Sequence, residues 1–378
     1  MTEDGEIKIK RLVVKIGTST LTGEDGGLDH GFLGELAGQV ARLREQGIEV
    51  IIVSSGSIGA GLKMLGYARD EKPSDLPTLQ AAAALGQVAL AKAYVDAFEP
   101  KGMQIAQVLI TRADTARRDS YLHARNTLKR LIELDAIPLV NENDTVAVDE
   151  ICFGDNDTLA TLVATLVDTD LVVLLSDIDG LYTADPRIDE DAKLLEEVGT
   201  FTEDLRSIAG DAGTVRGSGG MLTKIEAARV LMAAGIPMVI CEGHKPNALY
   251  EAACGHHVGT RFKNDDARHQ KARKLWIAMA QTPAGSVIVD DGAARALRER
   301  GSSLLPVGIV GGEGEFEAGV PINIRSLDHA LIGRGVTRYS RDEIAVAKGL
   351  HTEQLARNKI LSHLANTVVV HRDEMIVF

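Results

Sequence analysis

The chain is poor in aromatic residues, in cysteine, in basic surplus and in long apolar runs. No stretch approaches the roughly 18 consecutive apolar residues that a membrane span needs, so an integral membrane protein is not expected. The first residues, Met1-Thr-Glu-Asp-Gly-Glu6, are acidic and polar rather than basic then apolar, which argues against a secretion signal. Cysteine occurs only at Cys152, Cys241 and Cys254, an odd number without metal-ligand spacing. Free thiols in a reducing cytoplasm are therefore expected rather than a disulfide framework or a zinc site. Aromatic residues make up only 4% of the chain while glycine reaches 38 residues, a balance that suits an α/β protein with many tight strand–helix turns.

The missing positive charge is unevenly missing. Residues 1–267 carry 26 basic and 42 acidic side chains, and residues 268–378 carry 15 and 12, so the nets are −16 and +3. The larger part is a poor nucleic-acid binder, and the smaller part is at least not repulsive to one. A length of 378 residues suits two domains, and the polar stretch from Gly255 to Lys274, with His256 and His257 read as surface residues, marks the expected boundary. The expected division is 1–267 and 268–378.

What is present begins with Arg11-Leu-Val-Val-Lys-Ile-Gly-Thr-Ser-Thr20. Leu12 to Ile16 predicts a buried strand, and Lys15 within it should emerge near the strand's end, since an unpaired lysine in a core is costly. Gly17 is expected to turn the chain with positive φ, and the hydroxyls and N–H groups after it suit a phosphate. A plain βα turn with a surface lysine would use the same residues. A helix is expected over 31–47, ending at Gly47, then a second strand, Glu49-Val-Ile-Ile-Val-Ser54. That strand runs into Ser55-Gly-Ser-Ile-Gly-Ala-Gly61, whose N–H groups suit a carboxylate or phosphate, or equally a tight turn packed with small residues. Strand, glycine loop and helix in succession fit a parallel sheet. Thr78 to Phe98 predicts a long helix whose small residues, Ala81 to Ala84 and Gly86, serve packing alone. Gln104 to Thr111 is a third strand, and Asp114 to Leu134 is helical in its second half.

The short strand Ile137-Pro-Leu-Val140 opens onto the densest polar cluster: Asn141-Glu-Asn-Asp144, then Gly154-Asp-Asn-Asp157, just before a helix expected over 158–167. Asn supplies donors and acceptors and Asp accepts from an ammonium, so the cluster suits a zwitterionic amino acid. A solvated loop is the plain alternative, and the spacing does not match an EF-hand calcium loop. A further strand, Asp170 to Ser176, ends in Ser176-Asp177-Ile-Asp-Gly-Leu-Tyr-Thr-Ala-Asp-Pro186, a loop able to hold a nucleotide's base and ribose. Arg216-Gly-Ser-Gly-Gly-Met-Leu-Thr-Lys224 precedes a helix expected over 225–234, where glycines, a helix N-terminus and Lys224 suit phosphate. The Walker A spacing is absent. Ile236 to Ile240 is expected to close the sheet. Short strands after residue 284 (285–289, 320–324, 329–336 and 368–373) predict a small, mainly β domain.

Taken together, these stretches resemble the amino acid kinase family, nearly end to end. The resemblance is carried by Val14-Lys-Ile-Gly-Thr-Ser19, Ser54-Ser-Gly-Ser-Ile58, Thr111-Arg-Ala-Asp114, Asn141-Glu-Asn-Asp144, Gly154-Asp-Asn-Asp157, Gly180-Leu-Tyr-Thr-Ala-Asp-Pro186 and Ser218-Gly-Gly-Met-Leu-Thr-Lys224. No one of these is decisive, but seven in order are specific. Gly301-Ser-Ser-Leu-Leu-Pro-Val-Gly-Ile309 and Gly335-Val-Thr-Arg-Tyr-Ser340 resemble a PUA domain. The resemblance implies an α/β/α sandwich with a mainly parallel sheet and a PUA-like β domain behind it. It implies transfer of the ATP γ-phosphoryl group to the γ-carboxylate of L-glutamate, the first step of proline synthesis.

By that resemblance Lys15 and Lys224 neutralise charge on the moving phosphoryl group and Asp157 orients both. Ser55, Asp144 and Asn156 hold glutamate, with Asn141 and Asp155 close by. Lys15, Ser176, Asp177, Ser218, Gly219, Gly220, Met221, Leu222, Thr223 and Lys224 hold ATP, and Mg²⁺ travels with its phosphates. Serine stands at 54, 176 and 218 where threonine is common, and the hydroxyl is kept. The resemblance also implies a cytoplasmic homodimer or homotetramer, feedback inhibition by proline, and a product passed to glutamyl phosphate reductase. Two alternatives stay open. One is a related kinase acting on acetylglutamate, aspartate, carbamate or UMP, and the other is an RNA-binding regulatory protein acting through the PUA-like part.

Overall fold

The computed structural model describes residues 9–23, 26–68, 71, 73–111, 118–146, 156–184, 186, 188–189, 191–200, 220–263, 283–357, 362–364 and 367–378. It divides into two compact units, Met1–Asp266 and Ala267–Phe378.

The first unit is built on an eight-stranded sheet. Its strands are β1 (Arg11–Ile16), β2 (Glu49–Ser54), β3 (Ile105–Ile110), β4 (Ile137–Glu142), β5 (Leu171–Ser176), β6 (Glu197–Val198), β7 (Met238–Glu242) and β8 (Thr260–Phe262). The order is β3-β4-β2-β1-β5-β7-β8-β6. All pairings are parallel except β7 with β8. The central strands are continuous β-branched and leucine runs because both faces are covered, the pattern expected of buried parallel strands. Leu12, Val14 and Ile16 pack on one face with Leu33, Leu36 and Val40 of the His30–Glu45 helix and with Tyr94 and Phe98. The Asn156–Leu166 helix, buried almost throughout, packs against β1 and β5 and against the Met221–Ala233 helix. The result is three layers.

Several expectations need correction. β7 does not close the sheet: β8 and β6 lie beyond it, and at three and two residues they are too short for any period to register. Gly17 does not have positive φ; it is extended (φ −73°, ψ 156°) and leads directly into the short helix Thr18–Leu21. The left-handed turn belongs instead to Gly56, at φ 94° before the Ser57–Met64 helix. The Lys224 helix begins at Met221, so Lys224 stands in its first turn rather than in the preceding loop. Cys152 lies outside the described residues; Cys241 is a buried free thiol, and Cys254 is free as well.

The second unit has a five-stranded sheet of β9 (Gly285–Val289), β10 (Ile309–Gly314), β11 (Pro321–Arg325), β12 (Leu331–Thr337) and β13 (Val370–Val377), in the order β10-β9-β11-β12-β13. Only β9 and β11 run parallel. Val287, Ile322, Ile324, Ile332 and Tyr339 form its core. The strand pattern did not foreshadow its helices, Asp291–Arg300, Arg341–Ala347 and Thr352–Arg357. The first is started by Asp290 accepting from the Ala293 N–H, and the second by a capping box between Ser340 and Glu343.

Candidate active site

The sheet changes direction at β1, which has β2 on one side and β5 on the other, and a crevice at strand ends forms at such a switch point. Two backbone bonds tie the loops there: Gly17 N–H donates to the Leu175 carbonyl and Ser55 N–H to the Ile16 carbonyl, each at 3.2 Å. The loops after β1, β2, β4 and β5 therefore gather at one edge.

Lys15, next to last in β1, does not emerge into solvent. It is only 4% exposed, and its Nζ lies 2.7 Å from Asp157 Oδ1. Asp157, in the first turn of its helix and 0% exposed, turns its other oxygen to Lys224 Nζ at 3.2 Å. That same Oδ2 accepts from the Thr223 hydroxyl at 2.8 Å. One buried carboxylate thus holds two buried ammonium groups from two separate elements, and the cluster keeps a surplus positive charge. Burial raises the Asp157 carboxyl pKa, but the pull of Lys15 and Lys224 outweighs it, and the group ends below the usual carboxylate range. Burial, only partly opposed by Asp157, pushes the Lys15 pKa down, with Lys224 adding to the fall and Asp177 among the groups resisting it.

Asp177 follows Ser176 at the end of β5, and the Ser176 hydroxyl donates to its Oδ1 at 3.1 Å. Gly220 is the extended residue before the Lys224 helix, with Met221, Leu222 and Thr223 in that helix's first turn. Thr223 does more than line a loop, since its hydroxyl fixes Asp157. Ser218 and Gly219 lie outside the described residues, as do Asp155, Gly154 and the Arg112 to Asp114 part of the Thr111 motif.

Beside the charged cluster stands a neutral one. Asn156 Nδ2 donates to the Ser54 carbonyl (2.9 Å), the Ser55 hydroxyl (2.7 Å) and Asn141 Oδ1 (3.0 Å). Asn141, 3% exposed, passes the chain on from its Nδ2 to the Ser57 hydroxyl at 3.3 Å. Ser57 in turn donates to Asp144 Oδ2 at 3.3 Å. Ser55, Asn141, Asp144 and Asn156 are thus brought together, from the ends of β2 and β4 and the start of the Asn156–Leu166 helix, into one relay. Its direction is fixed: each donor leads toward Asp144, which ends the relay as an acceptor. Burial raises the Asp144 pKa to about 6, with the Ser57 hydrogen bond pulling the other way. Ser57 was visible in the glycine loop but carried no assigned role; its signal was a hydroxyl directly after Gly56, where the helix starts.

The arrangement offers paired ammonium groups beside a partly buried carboxylate and amides. It can neutralise a transferring phosphoryl group and hold an amino acid next to it. Comparison with known sequences points the same way. The sequence profile of the amino acid kinase family matches residues 10–242, and that of the PUA domain matches residues 285–358. Glutamate 5-kinase of Geobacter sulfurreducens is 44% identical over 370 residues, covering 98% of each chain. Glutamate 5-kinase of Caldanaerobacter subterraneus is 46% identical over 370 residues, covering 97% of each. Among solved structures, UMP kinase from Bacillus anthracis aligns with 68% of this chain and 98% of its own, at TM-score 0.49 and 17% identity.

Proposed function

The chain belongs to the amino acid kinase family, and on that footing we propose that it phosphorylates the γ-carboxylate of L-glutamate with ATP, giving L-glutamyl 5-phosphate, the first step of proline biosynthesis. The observation that carries the reading is the buried Lys15–Asp157–Lys224 cluster beside the amide and carboxylate relay. A γ-carboxylate oxygen attacks the γ-phosphorus as the bond to the β,γ-bridging oxygen breaks, and ADP leaves with the electron pair. The carboxylate is already a nucleophile at neutral pH, so no proton has to move and no general base is needed. The work left to the protein is alignment and charge neutralisation.

Lys15 and Lys224 take the charge on the moving phosphoryl group, and Asp157 pairs with both and holds them aimed. Asp144 receives the α-ammonium of glutamate, with Ser55, Asn141, Asn156 and Asp155 completing that end. Ser176, Asp177 and residues 218–224 hold the nucleotide. Mg²⁺ suits this site as a companion of the phosphates rather than a protein-held ion. Both oxygens of Asp157 are already engaged by Lys15, Lys224 and Thr223. When bound with ATP it shields the β- and γ-phosphate charge.

The remaining parts of the proposal are a cytoplasmic location, which the free thiols at Cys241 and Cys254 suit, homodimers or homotetramers, end-product inhibition by proline, and delivery of the labile acyl phosphate to a reductase. The test is phosphoryl transfer from Mg-ATP to L-glutamate, N-acetylglutamate and aspartate, with hydroxylamine trapping the acyl phosphate, each with and without proline. Hydroxamate formed with glutamate and lowered by proline is the expected result. Hydroxamate with N-acetylglutamate or aspartate instead would reassign the substrate.

A further inference from the structure

The Leu76–Phe98 helix, whose small residues suggested packing alone, touches both loops of the glutamate end. Gly86 faces the Ser57 carbonyl so closely that a Cβ there would lie 1.7 Å from that oxygen. Gly61, on the Ser57 helix, makes the reciprocal approach: a Cβ would lie 1.8 Å from the Ala82 carbonyl. The start of the Ser55-Gly56-Ser57 loop's helix is thus seated on this helix at backbone contact. The next residue, Gln87, is 6% exposed and donates from Nε2 to the Glu142 carbonyl at 3.3 Å. Glu142 ends β4, where the Asn141 to Asp144 loop begins. Gln107 on β3 donates from Nε2 to Gln87 Oε1 at 3.1 Å, which fixes the amide so that its N–H₂ end faces Glu142.

We propose that Gly86 and Gln87 are positioning residues that set the separation of the two loops holding glutamate, with Gln107 orienting Gln87. Neither residue needs to touch substrate. The relay from Asn141 through Ser57 to Asp144 crosses between these two loops on hydrogen bonds of 3.3 Å, so a shift of either loop breaks it. The nucleotide end does not hang on this helix: Lys15, Asp157 and Lys224 stand on β1 and on the Asn156–Leu166 and Met221–Ala233 helices.

This inference rests on the glutamate reading above, and wild-type hydroxamate formation tests that reading separately. For the positioning role, Gln87→Met keeps the volume and removes both hydrogen bonds, while Gln107→Ala changes an exposed edge-strand residue and keeps the fold. The expected result for Gln87→Met is a glutamate KM raised about tenfold, the size of one lost buried hydrogen bond, with ATP KM and kcat within about twofold. Gln107→Ala should move glutamate KM the same way by about threefold. An unchanged glutamate KM in Gln107→Ala, or ATP KM rising equally with glutamate KM, would overturn the proposal. Should Gln87→Met fail to fold, Gln107→Ala decides.

Discussion

The two ends of the proposed site are built from opposite materials. The proposed phosphoryl end is ionic: Lys15, Asp157 and Lys224 are each less than a tenth exposed, and one carboxylate pairs with two ammonium groups, leaving positive charge over. The proposed glutamate end is a relay of amides and hydroxyls, Asn156 to Asn141 to Ser57, with one carboxylate, Asp144, at its tip. Charge held rigidly suits a transition state whose charge spreads over phosphoryl oxygens. Neutral groups suit selection, because a missing or extra substrate group leaves a specific donor or acceptor unpaired. The comparison therefore predicts that damage at the first end appears in kcat and damage at the second in glutamate KM.

The sharpest break should come from Asp157→Asn, which leaves two buried lysines without their anion. Breaking a buried ion pair by removing one partner costs about 3–5 kcal/mol, so melting temperature and kcat should fall together. Lys224→Ala should leave the fold and glutamate KM nearly intact while kcat drops about 10²- to 10³-fold, the scale of losing one transition-state charge contact. Steady-state kinetics with saturating ATP would show it. An unchanged kcat would remove Lys224 from its role.

At the other end, Asp144→Asn should lower kcat/KM for glutamate about 10²-fold with a smaller loss in kcat, since a charged hydrogen bond to an ammonium is lost. pH makes this sharper. Asp144 titrates at about 6, above the reference of 3.8, so its ionised form is disfavoured in the folded protein. For stability, that penalty is present above pH 6 and is relieved as pH falls through 6 toward 3.8. For glutamate capture the sign reverses, because the ammonium needs the carboxylate. A log kcat/KM profile should therefore bend downward below about pH 6, and the bend should vanish in Asp144→Asn. The smallest effect expected is from Ser57→Ala, about threefold in glutamate KM, with the bend moved to higher pH because the hydrogen bond favouring the anion is gone.

The charged end was the more legible of the two in the sequence. A lysine interrupting Leu12 to Ile16, an aspartate opening a helix and a lysine after glycines are local signals, and the fold brought these three together. What a linear reading could not give was their burial: Lys15 was expected to surface, and the ion pair with Asp157, 142 residues away in the chain, is what helps make a buried position tolerable. Lys224 was placed in a loop because glycines dominate that stretch, whereas the helix starts immediately after the last of them. The neutral end was legible as a cluster but not as a relay. Gln87 reads as an ordinary polar helix residue, and Gly86 as filler, until the Ser57 and Glu142 carbonyls are seen against them. The edge strands β6 and β8 escaped for a simpler reason: two or three residues carry no period.

The most direct test of the central claim is an isotope-transfer experiment. L-Glutamate labelled with ¹⁸O in both γ-carboxylate oxygens is turned over with Mg-ATP, and hydroxylamine is added to attack the acyl carbon of the product. If the carboxylate attacks the γ-phosphorus, the phosphate released by hydroxylamine carries one ¹⁸O, and Lys224→Ala slows its appearance without altering the label. Unlabelled phosphate formed as ATP is consumed would mean that water, not glutamate, receives the phosphoryl group, and the account of the site would be wrong.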